Sequence, residues 1–596
     1  MLNRILLPVT LALLAWGFWI SPDFKEIAAG VAIFLYGMRS LEEGFKAFSG
    51  GVLETVLRHS TDRLWKSLSF GIATTTVMQS SSLVSVITIS FLSAGLIGLS
   101  QGIGIVFGAN LGTTTGAWLV AGFGLEVDIA AYAMPMLVFG MVLLFQTPKA
   151  FKGMGYVLVG MGFLFLGIHY MKVGFESFKA AIDLSQYAVA GLAGVLLYTL
   201  LGTLATVVMQ SSHATLVLTI TALAAGQITY DNALALAIGA NVGTTITAML
   251  GAISANIDGK RLAVAHLVFN VVTGIIAIVL MQPFLWAVDA LSSALGIAPD
   301  NHTLKLAVFH TLFNLTGVAV MLPFIQPLVR LLQRWMHMQE RRNQGVRPRY
   351  INAAVSQFPN AALGALRQEV LHLYSQAMHI ALRVLAVSPN DLASARSGSL
   401  ALPPPADLAA FDAEAAYNED IKPLYGAIID FIVRMPATGT QPRDAESLYA
   451  LRDASRNVVE AIKATKHLQK NLQRYLTSTN PHMRTEYNAI RCRLASLLRD
   501  LNALMDNPDP TALLALDGIR ADLFADDALA GDAIQRLIRG GYITPDMATS
   551  LMNDSSYAHD VAHHLIAMAK VVFAPTEPLL RELQESLVLD EQSIPK

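Results

Sequence analysis

The sequence predicts an all-α polytopic membrane protein with inverted repeats and two re-entrant hairpins, followed by a soluble helical-bundle domain. Three observations carry that prediction. First, the 596 residues are 54% hydrophobic and only 14% charged, with mean hydropathy +0.48, which is too apolar for an ordinary soluble chain. Second, the apolar residues are segregated. Up to about Pro323, many runs of 17 or more residues hold few or no charges, long enough to cross a hydrocarbon core ~30 Å thick. From Arg330 onward the chain is charged and helical in pattern. Third, two nearly identical phrases, "VMQSSSLVSVIT" at Val77–Thr88 and "VMQSSHATLVLT" at Val208–Thr219, break apolar runs with polar residues.

The composition also excludes. A net charge of -2 offers no electrostatic case for nucleic-acid binding, and the single cysteine, Cys492, rules out an internal disulfide. No nucleophile–base pair or phosphate-binding loop motif occurs, and the membrane core almost lacks carboxylates that could hold a catalytic metal. The chain therefore reads as a non-enzyme with no organic cofactor.

Taking the elements in order, "RILLPVTLALLAWGFWI" (Arg4–Ile20) reads as a retained first helix rather than a signal peptide. "SPDF" follows without a small-x-small cleavage site, and Trp16 and Trp19 sit where interfacial anchors belong. The two polar phrases then belong to a longer match. Gln79 pairs with Gln210, an offset of 210 − 79 = 131, and the same offset pairs Thr88 with Thr219, Gly95 with Gly226, and "GANLGTT" (Gly108–Thr114) with "GANVGTT" (Gly239–Thr245). Chance similarity between hydrophobic helices does not preserve two polar motifs at one ungapped spacing, so this is a duplication, covering about 67–122 and 189–255.

Lys and Arg mark cytoplasmic loops. Lys46, Arg58, Arg63 and Lys66 precede the first QSS segment, and Glu126 and Asp128 follow the first GAN helix. In the second copy the closing loop carries Lys260 and Arg261 instead. The bias flips between copies, as inverted repeats require. Crossings at about 3–20, 28–46, 101–122, 130–147, 155–175, 232–255, 262–282 and 303–323 satisfy every loop if 67–95 and 189–226 are re-entrant hairpins with QSS at each tip. Both termini are then cytoplasmic. Treating the hairpins as simple spans would put Glu126 and Asp128 inside and Arg330 and Arg334 outside. The expected domains are a membrane domain at 1–335, a basic juxtamembrane linker at 336–360 and a cytoplasmic helical domain at 361–596. In the last, breaks at "SPND", "ALPPPAD", "MPATGTQP", "TNP" and "DNPDP" suit two three-helix bundles.

A helix broken inside lipid leaves N–H and C=O groups unpaired at several kcal/mol each, so such breaks survive where they line a cavity and bind something. A half-helix beginning at Ser80 or Ser211 aims free N–H groups and roughly half a positive charge at the membrane midplane, a ready anion site. In GANxGTT, glycines permit unwinding, while Asn110, Thr113, Thr114, Asn241, Thr244 and Thr245 offer neutral oxygens suited to a hard cation such as Na⁺. From Ser67 to Leu125 there is no Asp, Glu, Lys or Arg, and from Leu184 to Ile257 only Asp231. A bound anion there has no fixed cationic side chain to neutralise it, so helix ends and a co-bound cation must do so.

"HLVFN" (His266–Asn270) and "HTLFN" (His310–Asn314) lie on the last two helices and read as cross-helix bonding rather than substrate contact. His213 stands where the first copy has Ser82. It is either a hairpin residue satisfied by a neighbour or a titratable group beside the anion.

The paired QSS motifs with downstream GANxGTT resemble the bacterial members of the type II sodium-dependent phosphate cotransporters, which often carry a PhoU-like helical domain after the membrane part. "RPRYINAAVSQFPNAALGALRQEV" (Arg347–Val370) is similar to the junction into that domain, and "NDSSYAHDVAHHLIAMAK" (Asn553–Lys570) to its signature helix. The resemblance implies sodium-coupled import of inorganic phosphate by alternating access across the inner membrane. Gln79, Ser80, Ser81 and Ser82 with Gln210, Ser211, Ser212 and His213 would hold phosphate, with Na⁺ adjacent. The family's second motif usually ends in Ser where this chain has His213. The PhoU acidic metal motif is not matched: the helix carries His559 and His563 instead. Implied partners are inorganic phosphate, sodium ions and membrane lipid, with no nucleic acid; the tail leaves room for a homo-oligomer or a regulatory protein. A phosphate sensor signalling through the tail, or a transporter of another oxyanion, are the alternatives.

Overall fold

The structure is a computed structural model that describes residues 2–49, 63–124, 129–181, 184–336, 346–388, 392, 411–435, 442–506 and 534–573. The charged positions Arg58, Glu126 and Asp128, on which part of the loop argument rests, lie outside the described residues. The chain divides into two compact units, Met1–Met338 and Gln339–Lys596, and every regular element among the described residues is helical.

In the first unit α1 (Leu2–Ile20) and α2 (Pro22–Ser49) lead into a broken pair, α3 (Leu64–Met78) and α4 (Ser81–Ser93). Then come α5 (Leu99–Gly112), the short α6 (Thr114–Trp118) with a π-helical turn at Leu119–Gly124, α7 (Ile129–Leu144) and α8 (Lys149–Ala181). A second broken pair, α9 (Gly191–Met209) and α10 (Ser212–Ala224), precedes α11 (Tyr230–Ala252), α12 (Ile257–Val279), α13 (Met281–Ala294), α14 (His302–Met321) and α15 (Ile325–Trp335). Among the described residues, six stretches are long and apolar enough to cross a membrane: Leu99–Gly122, Ala150–Lys179, Gly191–Met209, Tyr230–Ala252, Ile257–Val279 and His302–Trp335. Large apolar side chains such as Phe139, Phe145, Leu192, Leu200, Val279 and Trp286 are exposed on this unit, as a surface facing hydrocarbon should be and a surface facing water should not. The protein is a multi-pass membrane protein.

The sequence reading misses two elements. The α13 helix buries Phe284 and Val288 while exposing Trp286 and Leu291. Beyond a turn at Pro323, α15 buries Ile325, Leu328, Val329 and Leu332 and exposes Trp335. The α13 helix is too short and too one-sided for the length-and-hydropathy criterion that finds spans, and α15 extends the apolar stretch of α14 past Pro323.

The geometry of the two broken pairs recurs 131 positions apart. Glycines set how closely each first arm meets its GAN helix. A Cβ at Gly108 would overlap the Leu68 carbonyl oxygen, and one at Gly239 the Thr199 carbonyl oxygen. Gly112 and Gly243 sit likewise against Ile72 and Thr203, the carbonyl oxygens being 2.8 and 2.7 Å from a built Cβ. The expectation that these glycines permit unwinding divides between the copies: α11 runs unbroken through its GANVGTT, whereas α5 ends at Gly112 within GANLGTT. With hydrocarbon outside offering no drive for helices to associate, close backbone approach at small residues holds the pair together.

In the second unit, α16 (Pro359–Val384), α17 (Ala413–Ala416), α18 (Lys422–Arg434), α19 (Pro442–Leu476), α20 (Pro481–Asp506) and α21 (Pro545–Val572) are the labelled helices. The 35-residue α19, which has no internal breaker, packs against α16 and α18 and also against α20 and α21. Buried Glu369 receives the amides of Arg349, Tyr350 and Ile351 and meets His372 Nδ1 at 2.8 Å, pinning the chain where it enters α16. Arg491, fully buried, donates to the Leu385 and Ala386 carbonyls at the end of that helix. Tyr487 donates to Asp554 at 2.6 Å, and burial pushes the Asp554 carboxyl above its usual range.

Two outcomes test this packing. Gly108→Ala and Gly239→Ala should each lower the detergent melting temperature through overpacking worth about 1–3 kcal/mol, whereas Gly122→Ala, where a Cβ meets only Leu304 at 3.9 Å, serves as the unaffected reference; equal melting temperatures would refute the close approach. For Asp554, a folded pKa above the unfolded one means its contribution is present at acid pH and lost as pH rises through the folded value. Asp554→Asn should therefore slow amide exchange in α21 at neutral pH and flatten its pH dependence; faster exchange would reverse the argument.

Candidate functional site

Each broken pair is built the same way. Gln79 ends α3 with φ 52° and Gln210 ends α9 with φ 56°. Among the described residues only these two and Ala386 have positive φ without being glycine. Such backbone is uncommon for a residue with a side chain and concentrates at functional sites. The next residue caps the following helix: Ser80 Oγ accepts the Leu83 amide and Ser211 Oγ accepts the Ala214 amide. The cap leaves the first amides, at Ser81 and Ser82 and at Ser212 and His213, at the open helix end. The second arms, α4 and α10, have 13 residues each, or about 20 Å, too short to cross the hydrocarbon layer.

The glutamine side chains reach the GAN helices. Gln79 Nε2 donates to the Thr76 carbonyl at 2.6 Å and to Thr115 Oγ1 at 3.1 Å, and Gln79 Oε1 is buried without a protein partner. Gln210 Nε2 donates to the Val207 carbonyl at 2.6 Å, and Thr247 Oγ1 donates to Gln210 Oε1 at 3.3 Å. Gln210 is exposed, whereas Gln79 is half-buried. Beside Gln79 lies an open cleft of about 410 Å³ lined by Thr76, Gln79, Thr115, Trp118, Leu119 and Gly122. Ser80 and Ser81 are buried; Ser82, Ser211, Ser212 and His213 are half-buried.

The two copies touch at His213. Its ring stands where a Cβ on Gly116 would be, a position also 2.8 Å from Gln79 Oε1. The Gln79 main chain is its hydrogen-bond partner, and the Phe34 ring packs 5.6 Å away. The structure thus brings the first glutamine, the first GAN helix and the histidine of the second broken pair together.

The threonines chosen as cation ligands behave in a graded way. Thr113, Thr114, Thr244 and Thr245 donate their hydroxyl protons to carbonyls three or four residues back, which leaves oxygen lone pairs for a cation. Asn110 Nδ2 bonds the Val106 carbonyl at 3.0 Å. Asn241 is committed elsewhere: its Nδ2 donates to Asn314 Oδ1 at 2.8 Å, and its Oδ1 meets His310 Nε2 at 3.2 Å. These bonds tie α11 to α14. His266 and Asn270, the other such pair, are buried with both ring nitrogens and Oδ1 unpartnered. The threonines that do meet the glutamines, Thr115 and Thr247, were missed by the sequence reading. The signal was present in the extra threonine following each GTT motif, at one and two positions beyond it.

No group of three or more His, Cys, Asp or Glu side chains that could hold a metal ion occurs among the described residues.

Comparison with known proteins is consistent across its parts. The family profile described as Na⁺/Pi-cotransporter matches residues 33–173 and 185–295. YjbB of Escherichia coli K12, named as a phosphate export protein, is 27% identical over 442 residues, 73% of this chain and 75% of that protein. Its Salmonella typhimurium counterpart is 28% identical over 417 residues, 69% and 71% of the two chains. YqeW of Bacillus subtilis, named as an uncharacterised protein, is 29% identical over 315 residues, 52% of this chain and 96% of its own. No solved structure matches. The matched segments contain both broken helices and both GAN helices, so the part of the chain that carries these features matches the Na⁺/Pi-cotransporter family, a family of phosphate transporters.

Proposed function

We propose that the protein is a sodium-coupled secondary transporter of inorganic phosphate that works by alternating access, importing phosphate as the sodium gradient runs inward. The observation that carries this reading is the pair of capped helix starts, Ser80–Ser82 and Ser211–His213. Each follows a left-handed glutamine, and both lie in a stretch almost free of charged side chains. Helix N-termini recognise an oxyanion through amides and dipole without a fixed cation. Phosphate then sits between the tips, with Gln79, Ser80, Ser81 and Ser82 on one side and Gln210, Ser211, Ser212 and His213 on the other.

The charge such an anion brings has to be offset. Na⁺ held by the hydroxyl and carbonyl oxygens of Thr113, Thr114, Thr244 and Thr245, with Asn110, offsets it at short range; this is the physical basis of coupling in the proposal. Asn241 has its amide bound to α14 and contributes by fixing the helix. Inverted topology of the two copies, with re-entrant hairpins, supplies the two faces that open in turn. The membrane is the inner one, with both termini cytoplasmic. Residues 361–596 are read as a PhoU-like regulatory domain after the linker at 336–360.

A second reading concerns direction. A relative is named as a phosphate export protein, and a coupled carrier runs whichever way its gradients drive it. Proteoliposomes loaded with phosphate and sodium inside, or supplied with both outside, separate the two directions. Flux should follow the sodium gradient either way, and flux indifferent to sodium would sink the coupling.

Residue tests follow. Gln79→Ala should cut phosphate flux roughly ten- to a hundredfold, the scale of a hydrogen bond to a charged ligand, with the protein still inserted and monodisperse. Gln210→Ala should do the same if both tips bind. Near-normal flux in both variants would refute the site.

A further inference from the structure

The two copies differ where they meet, and the differences compensate. At the repeat offset of 131, His213 corresponds to Ser82 and Gly116 corresponds to Thr247. Paired across the copies, His213 with Gly116 sets a large residue against the smallest one, and the repeat-equivalent pair, Ser82 with Thr247, reverses the sizes. The reversal occurs at a point of contact, because the His213 ring fills the space above Gly116 that any side chain there would need.

The third difference is in the backbone. The second GAN helix, α11, is continuous from Tyr230 to Ala252. The first is not: α5 ends at Gly112, a tight turn joins Gly116 N to the Thr113 carbonyl at 3.2 Å, and Leu119–Gly124 winds as a π-helix. Interruptions of this kind have identifiable causes, an inserted side chain among them, and they cluster at functional sites. The distorted segment, Thr113 to Gly124, supplies Thr115, Trp118, Leu119 and Gly122 to the wall of the cleft beside Gln79. A ring wedged at Gly116, a helix distorted around it and a cleft lined by the distorted turns are one connected arrangement.

We propose that His213 is a steric wedge seated on Gly116 that holds open the cleft beside Gln79, so that the size of this residue pair governs access to the anion site from that side. The proposal rests on the reading of the hairpin tips as the anion site, but its geometry stands apart from what the site carries. His213 acts here as a positioning residue. Phe34 backs the ring and the Gln79 main chain holds it, so the ring fills space between the two copies. With a serine at 213 the pressure on the first GAN helix is relieved, the helix can regularise as α11 does, and the cleft narrows.

Accessibility reads this directly. Cys492 is the chain's only cysteine, and Gly122 lines the cleft with room for a side chain. In a Cys492→Ser, Gly122→Cys chain in membranes, the rate of modification by a membrane-impermeant methanethiosulfonate reagent reports the opening. His213→Ser should slow that rate several-fold, with neither phosphate nor sodium needed. Gly116→Ser should lower the detergent melting temperature through overpacking against the ring, and adding His213→Ser should recover most of that loss. An unchanged modification rate in His213→Ser, or equal damage from Gly116→Ser in both backgrounds, would overturn the wedge. If Gly116→Ser fails to fold, the modification rate in His213→Ser still decides. A slowed rate in a chain that moves no phosphate would leave the wedge standing and remove the transport reading instead.

Discussion

Within a hydrocarbon layer each unpaired N–H or C=O costs several kcal/mol, and the first unit is organised around two places where that constraint is met by other means. At Gln79 and Gln210 the helix ladder stops inside an apolar stretch. The arm before each break closes on a left-handed residue, the Gln79 amide reaching the Thr75 carbonyl, and the arm after it opens on a serine cap. What is left over is a set of outward-facing amides at a helix start, which suits an anion. Glutamine, rather than glycine, occupies the strained position. Its amide group does what a glycine cannot: it satisfies a local carbonyl and reaches the neighbouring GAN helix in one step.

The breaks hold their place because the surrounding helices are rigidly registered. Glycines at 108, 112, 239 and 243 bring backbone against backbone, so neither GAN helix can slide past its hairpin arm without a clash. Elsewhere α2 and α8 interlock by the same device, with Gly30, Gly37 and Gly44 set against the backbone of Gly153, Gly160 and Gly167. At α14, bonds replace close contact: the His310–Asn241–Asn314 chain fixes the second GAN helix from behind. The first GAN helix lacks that brace, since Asn110 bonds within its own helix and His266 has no partner among the described residues. It is tied to α14 further along instead, where Trp118 Nε1 donates to Thr311 Oγ1 at 2.9 Å.

This asymmetry matters for how a symmetric plan is used. A duplicated site with identical halves has no preferred side, whereas one histidine in place of a serine gives the halves different shapes. The exchange at 213 is where the second copy of this chain departs from the first.

Much of this was legible in the amino-acid sequence. The membrane class, the 131-residue duplication and the two polar breaks follow from residue type and spacing alone, because an uncharged 17-residue run or an ungapped repeated motif has few physical meanings. The identity of the family was legible for the same reason, in motifs too specific for chance. Three things were not. The GAN glycines set close packing in both copies, while the helix breaks only in the first, a distinction set by what lies against each helix. Asn241 is spent on α14, some 70 residues away in sequence, and no local pattern encodes that pairing. The contact of His213 with Gly116 joins residues from different copies, so only the folded chain could show that two apparent departures from the repeat compensate each other in space.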